Sequence, residues 1–338
     1  MTTIHQLVTP ALVVDVHALA RNAAAMAAAR PGSALRPHVK AFKTTALARL
    51  LRDDHGHEAF CCATLAEMEG MAAAGLGDDL LLANETLDTA RLGALAARDD
   101  ARVTVAVDSH ETIDVARRAG CREVLVDVDV GLPRCGCTPD QAGALAEAAR
   151  SVGLTVRGVM GYEGHCQDWD DPKRRREAAE ESMALLATAH GEVGGSVISA
   201  GGTGTHAVNR FATEIQAGSY LLMDTHYARL ADLPFEQAMA VLSTVISVRQ
   251  GGDGWFVLDA GLKALGMDHG DPTVDTGAVF FCSDEHTTVL HQGRPPALGD
   301  RVRLWPAHVD PTVAKHPSLH LVDGEQVVGE WPIDLRDW

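Results

Sequence analysis

Short apolar runs alternate with helical stripes over the first two thirds of the chain. Residues 11–16 predict a strand, and an alanine-rich helix follows over residues 17–30. Strand signals then recur at residues 35–40, 59–64, 80–84, 103–108, 123–130, 156–162, 196–200 and 219–224. Helical periods separate most of them, as over residues 65–74 and 141–152. Another helix, after Pro172, places Ala179, Met183, Leu186 and His190 on one stripe. Eight short strands that are apolar on both faces and alternate with helices predict a closed (β/α)8 barrel of the TIM type, spanning residues 10–230. The alternative is an open doubly wound sheet. No Gly-x-Gly-x-x-Gly follows the first strand, which weighs against the dinucleotide-binding version.

Past Ala231 the texture changes. Residues 241–249, 255–259, 287–291, 301–305 and 326–330 predict strands joined by Gly, Pro and Asp turns, with few helical periods. They make residues 231–338 a β-rich second domain, which residues 1–9 are candidates to join.

Composition narrows the classes. The 338 residues are 46% hydrophobic and 22% charged, enough to bury a large core. A formal net charge of −17 disfavours nucleic acid and anionic membranes as partners. No apolar run approaches the ~20 residues that span a bilayer, and the first nine residues carry no signal-peptide pattern. The seven cysteines include no Cys-x-x-Cys and several sit in apolar strand patterns, as expected of a reduced, cytoplasmic protein.

The polar residues at strand ends are candidates for chemistry. Lys40, in Arg36-Pro37-His38-Val39-Lys40, ends the first barrel strand. A lysine there is either a plain strand-end residue or an amine tuned by its surroundings to form a Schiff base. Arg134 follows the fifth barrel strand, and Tyr162 and His165 follow the sixth. Active sites of such barrels form at that rim. Ser199-Ala200-Gly201-Gly202-Thr203 follows the seventh strand, where backbone N–H groups can approach an anion, and Gln216-Ala217-Gly218-Ser219-Tyr220 enters the eighth. A plain flexible turn is the other reading of the glycines. His308-Val309-Asp310 follows a strand, and on extended backbone residues two apart share a face, so imidazole and carboxylate can meet one cation. Asp310-Pro311 alternatively makes a simple turn.

Together these segments resemble the D-threonine aldolase and eukaryotic-type D-serine dehydratase group of fold-type III pyridoxal-phosphate enzymes, relatives of alanine racemase. The resemblance runs from Thr9-Pro10-Ala11 to His308-Val309-Asp310-Pro311-Thr312. It implies pyridoxal 5'-phosphate bound through Lys40, with Arg134 beside the phenolic oxygen. It implies further cofactor contacts from Tyr162, Ser199, Gly201, Gly202, Thr203, Gly218, Ser219 and Tyr220. Gln216 stands where racemases place an arginine against the pyridine nitrogen. Lys40, Arg134, Tyr162 and His165 are the implied catalytic residues. His308 and Asp310 match the family's paired metal ligands, for Mn2+, Mg2+ or Zn2+, and aspartate rather than cysteine at 310 is the aldolase pattern. Phe42 departs from the family's second histidine in the lysine motif, and Tyr162-Glu163-Gly164-His165 departs from the expected Gly-Ser stretch. The implied activity is cleavage of a D-β-hydroxy-α-amino acid to glycine and an aldehyde, by a homodimer. A dehydratase, a racemase and a non-catalytic cofactor-binding protein are the alternatives.

Overall fold

The computed structural model describes residues 2–249, 254–291 and 293–338. The chain forms two compact units, one of Met26–Lys40, Leu47–Gly218 and Asp337–Trp338, the other of Met1–Ala25, Ala41–Ala46 and Ser219–Arg336.

The strands follow in chain order. β1 (Ala11–Asp15) precedes seven parallel strands: β2 (Ala59–Cys62), β3 (Asp79–Leu82), β4 (Val103–Val107), β5 (Glu123–Asp127), β6 (Thr155–Gly161), β7 (Val197–Ala200) and β8 (Glu214–Ile215). These seven pair in sequence order, with helices between most of them. Most of these strands are largely apolar on both faces because one face meets helices and the other fills the interior, as with the fully buried Val103–Val107. Cys61, Leu81, Ala106, Leu125 and Met160, one from each of five successive strands, form one cluster.

The eighth member of the ring is the segment that leads into Lys40. Arg36 N–H donates to the Ile215 carbonyl (2.9 Å) and His38 N–H to that of Ala217 (3.1 Å). On the other side Cys61 N–H donates to the Pro37 carbonyl (2.9 Å). Residues 35–38 thus bridge β8 to β2 and close an alanine racemase-like, TIM-type barrel. Pro37 has no N–H to give, and Val39–Ala41 turns into a 3-10 helix, so the predicted strand over 35–40 is shorter than expected.

Two expectations are corrected here. The eighth strand is Glu214–Ile215, whereas Ser219–Leu221 is a 3-10 turn. The run from Tyr220 to Met223 is fully buried, which imitates a strand in sequence, yet Met223 has a φ of 52° that no strand permits. Secondly, β1, which falls within the 10–230 span expected for the barrel domain, is not among its strands. It lies in the other unit, antiparallel to β9 (Met239–Val248) and parallel to β15 (Ser318–Asp323).

That unit is built on a nine-stranded sheet. Its other strands are β10 (Trp255–Leu258), β11 (Thr273–Val274), β12 (Ala278–Cys282), β13 (Thr287–Leu290), β14 (Arg301–Trp305) and β16 (Gln326–Pro332). Its core includes Val13, Ala240, Leu242 and Val322, brought together by the pairing of β1 with its two neighbours. Asp259 ties the sheet together, accepting from Ser243 Oγ (2.7 Å), Thr244 N–H (2.7 Å) and Thr9 Oγ1 (2.6 Å). All seven cysteines are free thiols. Among the described residues, no helix is long and apolar enough to cross a membrane.

Candidate active site

In the barrel unit, the loop after β7 is held from behind by two buried side chains. Glu163 accepts from Gly201 N–H (3.0 Å), Thr205 Oγ1 (2.8 Å) and Asn209 Nδ2 (3.1 Å). Gln167 accepts from Gly204 N–H (3.0 Å) and donates to Thr205 Oγ1 (2.9 Å). Glycine is required at 204, because a Cβ there would lie 1.8 Å from the Gln167 carbonyl oxygen. The sequence pattern offered Gly201 and Gly202 as anion donors. Instead their N–H groups serve the loop, with Gly202 donating to Thr205 Oγ1 (3.2 Å). A preformed glycine loop of this kind fits a phosphate group, with Thr203 and Gly218 among its candidate donors.

Ser199 lies in the barrel wall. It donates to Glu214 Oε1 (2.6 Å) and accepts from Gln216 Nε2 (2.8 Å), which fixes the Gln216 amide. Glu214 in turn accepts from Arg36 Nε (2.7 Å), and Arg36 reaches Asp79 (3.2 Å). Arg157 pairs with the same Asp79 carboxylate (2.8 Å). Burial pushes the Asp79 carboxyl up, but the Arg157 and Arg36 guanidiniums outweigh it and hold the group well below the usual carboxylate range. This ionic layer lies at the starts of β3 and β8, away from the strand ends that carry Lys40, Arg134 and Tyr162.

At the opposite strand ends, the loop after β5 folds back on itself. Asp129 N–H donates to the Cys137 carbonyl (2.9 Å) and Cys137 N–H to that of Asp127 (3.0 Å), leaving Arg134 at the exposed tip. Arg134 lies over the Tyr162 ring (5.4 Å). His165 packs against Gly131, where a Cβ would be 3.0 Å from the imidazole, and its Nδ1 is buried without a hydrogen-bond partner. The structure therefore stacks Arg134 on Tyr162 and places His165 against Gly131, in the same loop that carries Arg134. Lys40 stands in the 3-10 turn Val39–Ala41 that follows the closing segment.

Sequence reasoning missed Glu85 and Asp127. Burial, reinforced by Glu85, raises the Asp127 carboxyl well above the carboxylate range. Burial and Glu85 likewise push the Cys135 thiol up to about 12, which leaves it protonated and inert at neutral pH. Neither acid stood out, since an Asp within an apolar strand and a Glu after one have no spacing signature.

The β unit carries the second constellation. His308 itself is extended, but the backbone turns helical at Val309, so the extended run does not reach Asp310. His308 is the N-cap of the helix Val309–Ala314, with Asp310 in the first turn. The helix start is pinned by Asp224, which accepts from Val309 N–H (3.0 Å) and Tyr227 N–H (2.9 Å). His308 Nε2 still lies 3.7 Å from Asp310 Oδ2, a separation that one cation with bonds of about 2.1 Å can bridge. Imidazole and carboxylate suit a divalent cation, so the donors fit the implied metal. Ser219 Oγ donates to Asp310 Oδ2 at 3.4 Å. Asp268 and His269 also lie here, their ligand atoms and those of His308 all within 4.8 Å of one another. Tyr220, expected to touch the cofactor, is a fully buried side chain packed on Phe235 (5.6 Å).

Two family models match the chain. The family model described as alanine racemase, N-terminal domain, matches residues 14–226. A domain model named for serine dehydratase matches residues 238–322. The chain belongs to the D-threonine aldolase and D-serine dehydratase-like family of alanine racemase-like, fold-type III pyridoxal-phosphate enzymes. It is 34% identical to a D-threonine aldolase of Arthrobacter sp, over 97% of this chain and 92% of that one. It is 31% identical to a 3-hydroxy-D-aspartate aldolase of Paracoccus denitrificans (strain Pd 1222), over 98% and 92% of the two chains. The crystal structure of D-threonine aldolase from Filomicrobium marinum superposes with a TM-score of 0.91 at 31% identity, covering 98% of this chain and 97% of that one.

Proposed function

We propose that this protein is a pyridoxal-phosphate- and divalent-cation-dependent lyase that cleaves a D-β-hydroxy-α-amino acid to glycine and an aldehyde. The observation that carries the reading is the His308–Asp310 pair, with Nε2 and Oδ2 3.7 Å apart on a pinned helix start. Two protein ligands leave most of a cation's positions open, as activation of a substrate hydroxyl requires.

Each residue has an assigned part. Lys40 would hold the cofactor through its amine, and that amine would serve as the proton donor to Cα. When bound, pyridoxal phosphate supplies an electron sink for the pair left on Cα as the Cα–Cβ bond opens. Arg134, backed by the Tyr162 ring, supplies positive charge beside the cofactor. Gln216, held by Ser199, presents a neutral amide where racemases carry an arginine. His308 and Asp310 would hold the cation, which would supply Lewis acidity toward the β-hydroxyl. His165, with an unpartnered buried Nδ1, is the candidate base for that hydroxyl's proton.

The serine dehydratase-type match over residues 238–322 favours a second reading, in which the same groups expel the β-hydroxyl as water. Asp310 supports the aldolase, because the dehydratase pattern has cysteine there. A racemase needs two opposed bases at Cα, and among the described residues none is assigned opposite Lys40. A non-catalytic cofactor carrier would leave the His308–Asp310 pair without a role. A screen of D-β-hydroxy amino acids with and without divalent metal separates these: glycine plus aldehyde is expected, whereas ammonia plus a 2-oxo acid would establish the dehydratase. We further propose a homodimer, which sedimentation of an active monomer would contradict.

A further inference from the structure

His308 has two ring nitrogens, and the structure gives each a different neighbour. Nδ1 lies 2.7 Å from Asp268 Oδ2, and Nε2 faces Asp310. A carboxylate only accepts, so the proton of the neutral ring sits on Nδ1, leaving the Nε2 lone pair for a ligand bond. We propose that Asp268 is a positioning residue of the cation site. It fixes the tautomer and orientation of His308 so that the cation is held on the Nε2 side, with Asp310. This inference rests on the cation reading given above.

The backbone around Asp268 is built for this task. Gly266 forms an antiparallel bridge with His308, which sets the following residues beside the ring. Thr312 locks the bridge, accepting from Gly266 N–H (2.9 Å) and donating to the His308 carbonyl (2.6 Å). Only glycine fits at 266, since a Cβ would lie 2.4 Å from Pro311 Cγ. His269 stacks on the His308 ring at 4.2 Å with an interplanar angle of 11°, fixing its plane. His226 packs on the other side of His269 at 4.3 Å.

The rival arrangement has Asp268, His269 and His308 themselves as ligands. The geometry disfavours it. Two donors on one cation with bonds of about 2.1 Å stand roughly 3 Å or more apart, whereas Asp268 and His308 meet at the 2.7 Å of a hydrogen bond. The arrangement is instead that of a carboxylate behind a metal-bound histidine, whose loss typically weakens metal affinity by about 10–100-fold.

The test is Mn2+ titration of the cofactor-loaded protein after chelation, read by calorimetry or by the paramagnetic resonance of free Mn2+. Asp268→Ala should weaken binding by about 10–100-fold. Asp268→Asn, whose amide oxygen still accepts from Nδ1–H, should stay within a few-fold of wild type, and Asp310→Ala should lose binding. Equal loss in Asp268→Ala and Asp268→Asn, with binding retained in Asp310→Ala, would make Asp268 a ligand and overturn the proposal. Unchanged affinity in Asp268→Ala would overturn it too, leaving the cation reading intact. Failure of the wild type to bind Mn2+ would remove both. Thermal melts and the cofactor's absorbance band check that each variant is folded.

Discussion

Arg36 shows what a single residue contributes beyond its motif. In sequence it belongs to the run that ends in Lys40, and nothing nearby suggests an ionic partner. In the fold it is buried, held by Glu214 (2.7 Å) and Asp79 (3.2 Å), and so anchors the segment carrying Lys40. Because the Asp79 carboxyl is held low in the folded state, the unfolded chain binds more protons in acid. The stability Asp79 contributes is therefore complete above its ordinary pKa of about 4 and is lost as pH falls through the folded value. Asp79→Asn should cost about 3–5 kcal/mol near neutral pH, and the deficit should shrink in acid, as urea midpoints across that range would show. A deficit independent of pH would mean that the ion pairs do not operate. Lys40→Ala should abolish turnover and the visible band of bound cofactor while the melting temperature changes little. Lys40, Arg134, Tyr162, His165, His308 and Asp310 could be named as candidates from sequence because reactive side chains at strand ends are rare enough to stand out. Asp268, Glu85 and Asp127 were not, since their partners lie far along the chain.

At the scale of elements, periodicity located strands well but not their neighbours. Val103–Val107 and Glu123–Asp127 are short and apolar on both faces, and that pattern admits little but a parallel strand. The residues before Gly218 misled, because β8 is only Glu214–Ile215 and the stronger apolar run after it is a buried turn. His308-Val309-Asp310 misled differently. Asp310-Pro311 reads as a turn, yet proline is well tolerated in the first turn of a helix, where N–H groups have no partner. The loop after β7 carries its own prediction. Gly204→Ala drives a Cβ into the Gln167 carbonyl at 1.8 Å, so the loop must move. A loss of about 1–3 kcal/mol is expected, with weaker cofactor affinity, measured by denaturation and by cofactor titration. Unchanged affinity would separate this loop from the phosphate site.

For the whole molecule, the alternation of strands and helices identified the barrel, and the later Gly- and Pro-rich texture identified the β unit. The placement of β1 was hidden, because its partners lie at Met239–Val248 and Ser318–Asp323 and no local pattern names a partner so distant. The proposed reaction is tested on the intact, cofactor-loaded protein. D-threonine is supplied with Mn2+, and glycine, acetaldehyde, ammonia and 2-oxobutyrate are measured together, before and after chelation and in Asp310→Ala. The account predicts glycine and acetaldehyde in equal amounts, lost on chelation and in Asp310→Ala while the cofactor's absorbance band persists. Cleavage at full rate without metal, or ammonia and 2-oxobutyrate as the products, would contradict it.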